Sequence, residues 1–161
     1  MNILNDRLNY EASRKVINDI VVELFKNILT IEERSLRNRG IRDLSMTEIH
    51  TIEAIGIDGP KTMSEIAESL DITMGTLTIS ITRLENKEYV YRSRDSNDRR
   101  VVLVSLTKKG ELVDKIHKNF HDEMINHAMI DLKLDEDQAL INALKNINEF
   151  FLKEYGGKNV Y

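Results

Sequence analysis

The sequence contains no cysteine. That excludes disulfides, thiolate metal sites and cysteine redox switches, and it fits a cytoplasmic protein. One proline and seven glycines among 161 residues leave little material for a sheet rich in tight turns, so a mainly helical fold is expected. No apolar run approaches the ~18 residues a membrane span needs. The first fifteen residues, MNILNDRLNYEASRK, lack the apolar core of a secretory signal, so no membrane association is expected. No segment repeats at a fixed period. Catalytic signatures are missing as well: there is no phosphate-binding glycine loop, no Ser-His-Asp setting and no H-E-x-x-H. Asp95 and Asp98 flank a turn-rich tip, which is turn chemistry rather than an acid–base pair. An enzyme is not expected.

What is present is a globular composition, with enough length for one core plus a dimerisation arm. From about Glu11 to Arg37, Ile17, Val21, Leu24, Ile28 and Ile31 recur at steps of three and four, which predicts a long amphipathic helix. Ser45 with Glu48 forms a capping box and starts a second helix that stops near Gly56. Thr62 with Glu65 starts a short third helix ending by Leu70. Thr73 caps a fourth, TMGTLTISITRLENKEY. Two short helices joined by so brief a link outline a helix-turn-helix. The period then changes to two: YVYRSR and RRVVLVSL flank DSND as a hairpin, or wing. Thr107 caps a fifth helix carrying Leu112, Ile116, Phe120 and Met124. Asp135 with Gln138 opens a sixth, in which Leu140, Leu144, Ile147 and Phe151 form a coiled-coil-like seam. The expectation is six helices plus a two-stranded wing, with 41–106 as the winged helix-turn-helix lobe and 1–40 with 107–161 as a helical dimerisation region.

The charge is unevenly placed. The chain carries a net −4, yet residues 83–109 hold eight Lys/Arg against four acids, a local +4 that leaves −8 for the rest. A basic patch on an acidic protein, beside a helix-turn-helix, points to double-stranded DNA. On the fourth helix Met74, Leu77, Ile81 and Leu84 share a face expected to be core. The opposite face shows Gly75, Thr76, Ile79, Thr82 and Arg83, with no acid. Gly75 permits close approach to a phosphate. Thr76, Thr78 and Thr82 can bond bases or phosphates, and Ile79 can pack on thymine methyls. Thr73 belongs to the same end of this helix. Lys61, Thr62 and Ser64 at the third helix start are expected to hold a phosphate on backbone N–H groups. Arg92, Arg94, Arg99 and Arg100 supply the wing's positive charge.

The order of elements, GTLTISITRLENKEYVYR and DSNDRRVVLVSLTKKG together resemble the MarR family of winged helix-turn-helix regulators, over nearly the whole chain. The resemblance implies that Arg100 enters the minor groove from the wing tip, oriented by Asp98, reading groove shape. Many relatives carry a basic residue where this chain has Ile79, so base contacts there do not carry over directly. It also implies a homodimer with intertwined first and last helices, whose two recognition helices, roughly 34 Å apart, read a palindrome.

Two signals compete, and no cofactor is required by the sequence itself. His117 and His121 lie four apart on the fifth helix, His50 lies on the second, and Glu32 and Glu33 end the first. Such a set is a candidate zinc site, as in zinc-sensing members of the family. A structural polar cluster would look the same. IEERSL, EIHTIEAIG, RSRDSNDRRVV and KIHKNFH resemble the FabT-type branch more specifically, which are repressors of bacterial fatty-acid synthesis genes. That likeness implies long-chain acyl–acyl carrier protein as co-repressor, with the acyl chain among Ile28, Ile31, Ile49, Ile52, Ile116 and Phe120, beside His50, His117 and His121. Each of these isoleucines also reads as plain core. A dimeric scaffold that binds no DNA is the remaining alternative, and it leaves the arginine-rich wing unexplained.

Overall fold

The computed structural model describes residues 3–130 and 134–155. The chain divides after Arg42 into two units, Met1–Arg42 and Asp43–Tyr161. The first is α1 (Ile3–Asn38), which begins well before Glu11. It closes with a left-handed Gly40, φ 98°, whose N–H and that of Ile41 bond back to the carbonyls of Arg37 and Leu36, each at 3.1 Å. Such a glycine stop is needed because no side chain tolerates that backbone cheaply. Ile17, Leu24 and Ile31 are exposed along α1, as are Ile20 and Phe25.

The second unit contains α2 (Met46–Ile55), α3 (Met63–Ser69), α4 (Met74–Asn86), α5 (Lys108–Ala128) and α6 (Leu134–Tyr155). The side chain of Asp135, expected to cap α6, lies outside the described residues. The strands are β1 (Lys61–Thr62), β2 (Val90–Arg94) and β3 (Val102–Leu106). The sheet has order β1-β3-β2 and is antiparallel throughout, with Val90 opposite Leu106, Arg94 opposite Val102 and Lys61 opposite Val104. The hairpin is therefore joined by a two-residue third strand that the sequence pattern does not announce.

Four helix starts follow their caps. Ser45 and Thr62 form reciprocal capping boxes with Glu48 and Glu65, and Thr73 and Thr107 each accept an N–H three residues on. The lobe's core joins Ile49, Ile52 and Ile55 of α2 to Ile66, Leu77, Ile81 and Leu84, closed by Val90, Val104 and Leu106 of the wing base. One polar pair is buried within it: Thr51 Oγ1 and Ser80 Oγ lie 3.1 Å apart and satisfy each other between α2 and α4. Met74 departs from expectation. It is 46% exposed because it is the first residue of α4, before the core-facing stripe begins. On α5 the buried side chains include Val113, Asp114 and His117, while Leu112 is 58% exposed.

Candidate nucleic-acid interface

The turn between α3 and α4 is set by Asp71, which adopts φ 51°. Its N–H bonds to Glu68 O and that of Ile72 to Ala67 O, both at 3.1 Å, so α3 ends within one residue and α4 can start at Thr73. This orients α4 with Leu77, Ile81 and Leu84 inward. Gly75, Thr76, Thr78, Ile79, Thr82 and Arg83 are all exposed. Thr78 and Thr82 donate their hydroxyls to the carbonyls four residues back, at 2.7 and 2.8 Å, leaving acceptor lone pairs for donors outside the helix. The Thr73 and Thr76 hydroxyls are 2.9 Å apart. Ile79 is 56% exposed on this otherwise polar face.

The wing tip is organised by two aspartates. Asp95 Oδ1 accepts the N–H groups of Asn97 and Asp98 at 2.7 and 2.9 Å, and those bonds hold its carboxyl below the usual aspartate range. Asp98 Oδ1 accepts the Arg100 N–H at 2.9 Å and lies 3.5 Å from Arg100 Nε. The Arg100 side chain is 94% exposed, held at its base and open at its end. Arg94 reaches back to the carbonyls of Arg99 and Arg100 at 3.2 and 3.4 Å and braces the loop.

Several basic residues are used inside the protein. Lys61, expected with Thr62 and Ser64 at a phosphate site on the α3 start, donates its Nζ to Ala54 O at 2.7 Å and ties the end of α2. There the N–H of Thr62 goes to the Glu65 carboxylate at 2.7 Å, whose charge opposes an added phosphate; Ser64 is exposed beside it. Arg92 is bound to Glu85 and to Thr82 Oγ1 at 2.9 Å. Lys87 donates to Glu48 at 2.8 and 2.9 Å and to Asp43 O at 2.6 Å. Lys108 pairs with Glu111. Lys109 donates to Lys87 O at 3.0 Å and sits 3.9 Å over the Tyr89 ring, while Tyr89 donates to Asp43 at 2.7 Å. Burial, then that bond to Asp43, raises the Tyr89 hydroxyl well above its usual range. The outward-facing charge therefore concentrates on Arg83, Arg99 and Arg100. Glu48, Asp43 and Tyr89 were not legible as site residues, because their partners come together only when the end of α4 meets the α2 cap, and Glu85 was not, because Arg92 reaches it only once β2 folds back along α4.

Three of the four histidines, His50, His117 and His121, come together on α2 and α5. His117, 1% exposed, has its Nε2 3.2 Å from His121 Nε2, its ring centroid 5.6 Å from that of His50, and its Nδ1 3.6 Å from Glu53. Glu53 has no place in the sequence expectation. Glu32 and Glu33 belong to α1, where Glu33 pairs with Arg37 at 2.8 Å. Of the expected acyl-chain contacts, Ile49 and Ile52 are core, Ile116 and Phe120 half-buried, Ile28 half-buried and Ile31 exposed.

A helix-turn-helix followed by a braced, arginine-tipped wing defines a winged-helix DNA-binding protein, and no helix among the described residues is long and apolar enough to cross a membrane. Residues 44–102 match the MarR family model. The chain is 32% identical over 117 residues to the HTH-type transcriptional regulator YkoM of Bacillus subtilis, covering 72% of this chain and 75% of that protein. It is 31% identical over 106 residues to the transcriptional regulator ZitR of Lactococcus lactis, covering 65% and 72% respectively. Its fold matches that of Streptococcus pneumoniae FabT in complex with DNA, with a TM-score of 0.74, 36% identity and coverage of 87% of this chain and 98% of that one. The chain belongs to the MarR family: it is a DNA-binding transcriptional regulator and not an enzyme.

Proposed function

We propose that this chain is a homodimeric repressor of fatty-acid synthesis genes, reading a palindromic operator with long-chain acyl–acyl carrier protein as co-repressor. The likeness to FabT bound to DNA, which extends over nearly all of that chain, is the observation that carries this reading. The exposed face of α4 enters the major groove, with Gly75 and Thr76 at the phosphates and Ile79 on thymine methyls. Arg100 enters the adjacent minor groove, where a narrow, negative groove favours a guanidinium. The apolar residues exposed on α1 and α6, Leu24 and Phe25 on one and Leu144 and Phe151 on the other, are buried by a second copy. A co-repressor acts by preferring the DNA-binding conformation, and ~1–3 kcal/mol of coupling makes a usable switch.

Zinc is the second reading, and the two histidine nitrogens favour it. At Zn–N distances of about 2.0–2.1 Å, two imidazoles on one tetrahedral ion stand roughly 3.3 Å apart. His117 and His121 meet that spacing from one helix face, with Glu53 near the other ring nitrogen of His117 as an orienting carboxylate. His117 and His121 would hold the ion, and zinc bound there would supply a fixed link between them.

The two readings separate in one titration. Chelated protein is added to a labelled promoter fragment from a fatty-acid synthesis operon, at fixed salt, and followed by fluorescence anisotropy. Tightening by the long-chain acylated carrier, and not by the unacylated carrier, supports the first reading. No response to either, with tightening by zinc, replaces it with the second.

A further inference from the structure

Arg92 stands third in β2, yet its side chain lies along α4 rather than out toward solvent. The guanidinium Nη1 pairs with Glu85 Oε2, and Nη2 donates to Thr82 Oγ1 at 2.9 Å and to Thr78 O at 3.4 Å. The backbone N–H of Arg92 donates to the other carboxylate oxygen of Glu85 at 3.2 Å. Thr78, Thr82 and Glu85 are spaced four and three apart, so one arginine engages a single stripe of the recognition helix over two turns. Two residues on, Arg94 fastens the backbone carbonyls of Arg99 and Arg100, on either side of the Arg100 Cα. An unbroken series of bonds thus runs from α4 through β2 to the base of Arg100. Glu85 also cancels the charge of Arg92, which would be counterproductive for an arginine that grips phosphate.

We propose that Arg92 is a positioning residue rather than a DNA ligand. With Glu85 it fixes the angle between α4 and the wing, so that one docking motion seats the helix in the major groove and Arg100 in the minor groove. A wing free to rock holds Arg100 at a lower effective concentration at its groove and weakens binding without removing a contact. The planar fork of arginine is what allows carboxylate, hydroxyl and carbonyl to be held together. The inference rests on the minor-groove role of Arg100 proposed above.

The test uses the full-length protein and a duplex that it selects from a random-sequence pool. Affinity is measured across a salt series for Arg92→Gln, Glu85→Gln, Arg100→Ala and the two doubles with Arg100→Ala. Arg92→Gln is expected to weaken binding about tenfold, with the slope of log K against log salt unchanged. Glu85→Gln removes a negative charge and is nonetheless expected to weaken binding. In the Arg100→Ala background both losses should shrink below about twofold, since they act through the wing. A slope that falls by about one for Arg92→Gln, as loss of a phosphate contact requires, overturns the inference, as does tighter binding by Glu85→Gln. If Arg100→Ala weakens binding but the other losses add to it independently, the inference alone fails. If Arg100→Ala changes neither affinity nor slope, the wing reading falls and the inference with it. Should Arg92→Gln not fold, Glu85→Gln and its double report the same coupling.

Discussion

Two glycines with the same freedom serve opposite purposes. At Gly110 a Cβ would run into the carbonyl oxygen of Tyr89, with Leu106 side-chain atoms at 3.3 Å. The α5 backbone must close on the start of the wing here, and no side chain fits. Gly110→Ala should cost about 2 kcal/mol, seen as a lower urea midpoint with an unchanged slope. At Gly75 a Cβ would meet only Thr73 Oγ1, at 3.8 Å. The protein itself has room there. Gly75→Ala should leave stability equal or higher by about 0.5–1 kcal/mol, and weaken DNA binding by crowding the phosphate. A variant that is less stable but binds DNA normally would place the reason for Gly75 inside the fold.

At the scale of elements, polar connections tie the end of α4 to the cap of α2. Glu48 both caps α2 and receives Lys87. Burial pushes its carboxyl up, but the bonds from Lys87 and Ser45 outweigh that and leave it below its ordinary 4.5. Asp43, bonded by Tyr89, is likewise below its ordinary 3.8, against a smaller opposing effect of burial. Carboxyls lowered on folding stabilise fully at neutral pH. Their contribution declines as pH falls below those ordinary values and is gone once the lowered ones are passed. Glu48→Gln should therefore lose about 2 kcal/mol at neutral pH and show a flatter acid limb in unfolding curves taken across pH. An unaltered acid limb would assign that limb to other groups.

The same scale shows what the sequence carried. Ser45/Glu48, Thr62/Glu65, Thr73 and Thr107 announced four helix starts because a cap acts over three residues of chain. Leu77, Ile81 and Leu84 announced the inward face of α4 because period alone decides it. What stayed hidden depends on distance through space. Arg92 and Glu85 are seven residues apart across a helix end, and Lys61 bonds to a backbone carbonyl that no residue type marks. The burial of Asp114 and His117 on α5 was not legible either, because an apolar pattern does not mark polar residues as buried.

The whole molecule leaves apolar surface uncovered on its long helices. Leu24 and Phe25 on α1, and Leu144 and Phe151 on α6, are between 43% and 55% exposed. On the dimeric reading proposed above, this surface is covered by a second copy. Leu144→Glu should shift sedimentation toward the monomer and weaken operator binding, since each half then binds alone. A dimer undisturbed by Leu144→Glu would place the interface elsewhere.

In the proposed complex one protein grips two kinds of groove. Hydroxyl-radical footprinting of the selected duplex, with wild type and Arg100→Ala side by side, tests that most directly. Wild type should protect two sets of positions about one helical turn apart, each flanked by a minor-groove protection that Arg100→Ala erases while the inner ones persist. Loss of every protection together, or a footprint identical in both proteins, would contradict the assignment of α4 to the major groove and of the wing tip to the minor.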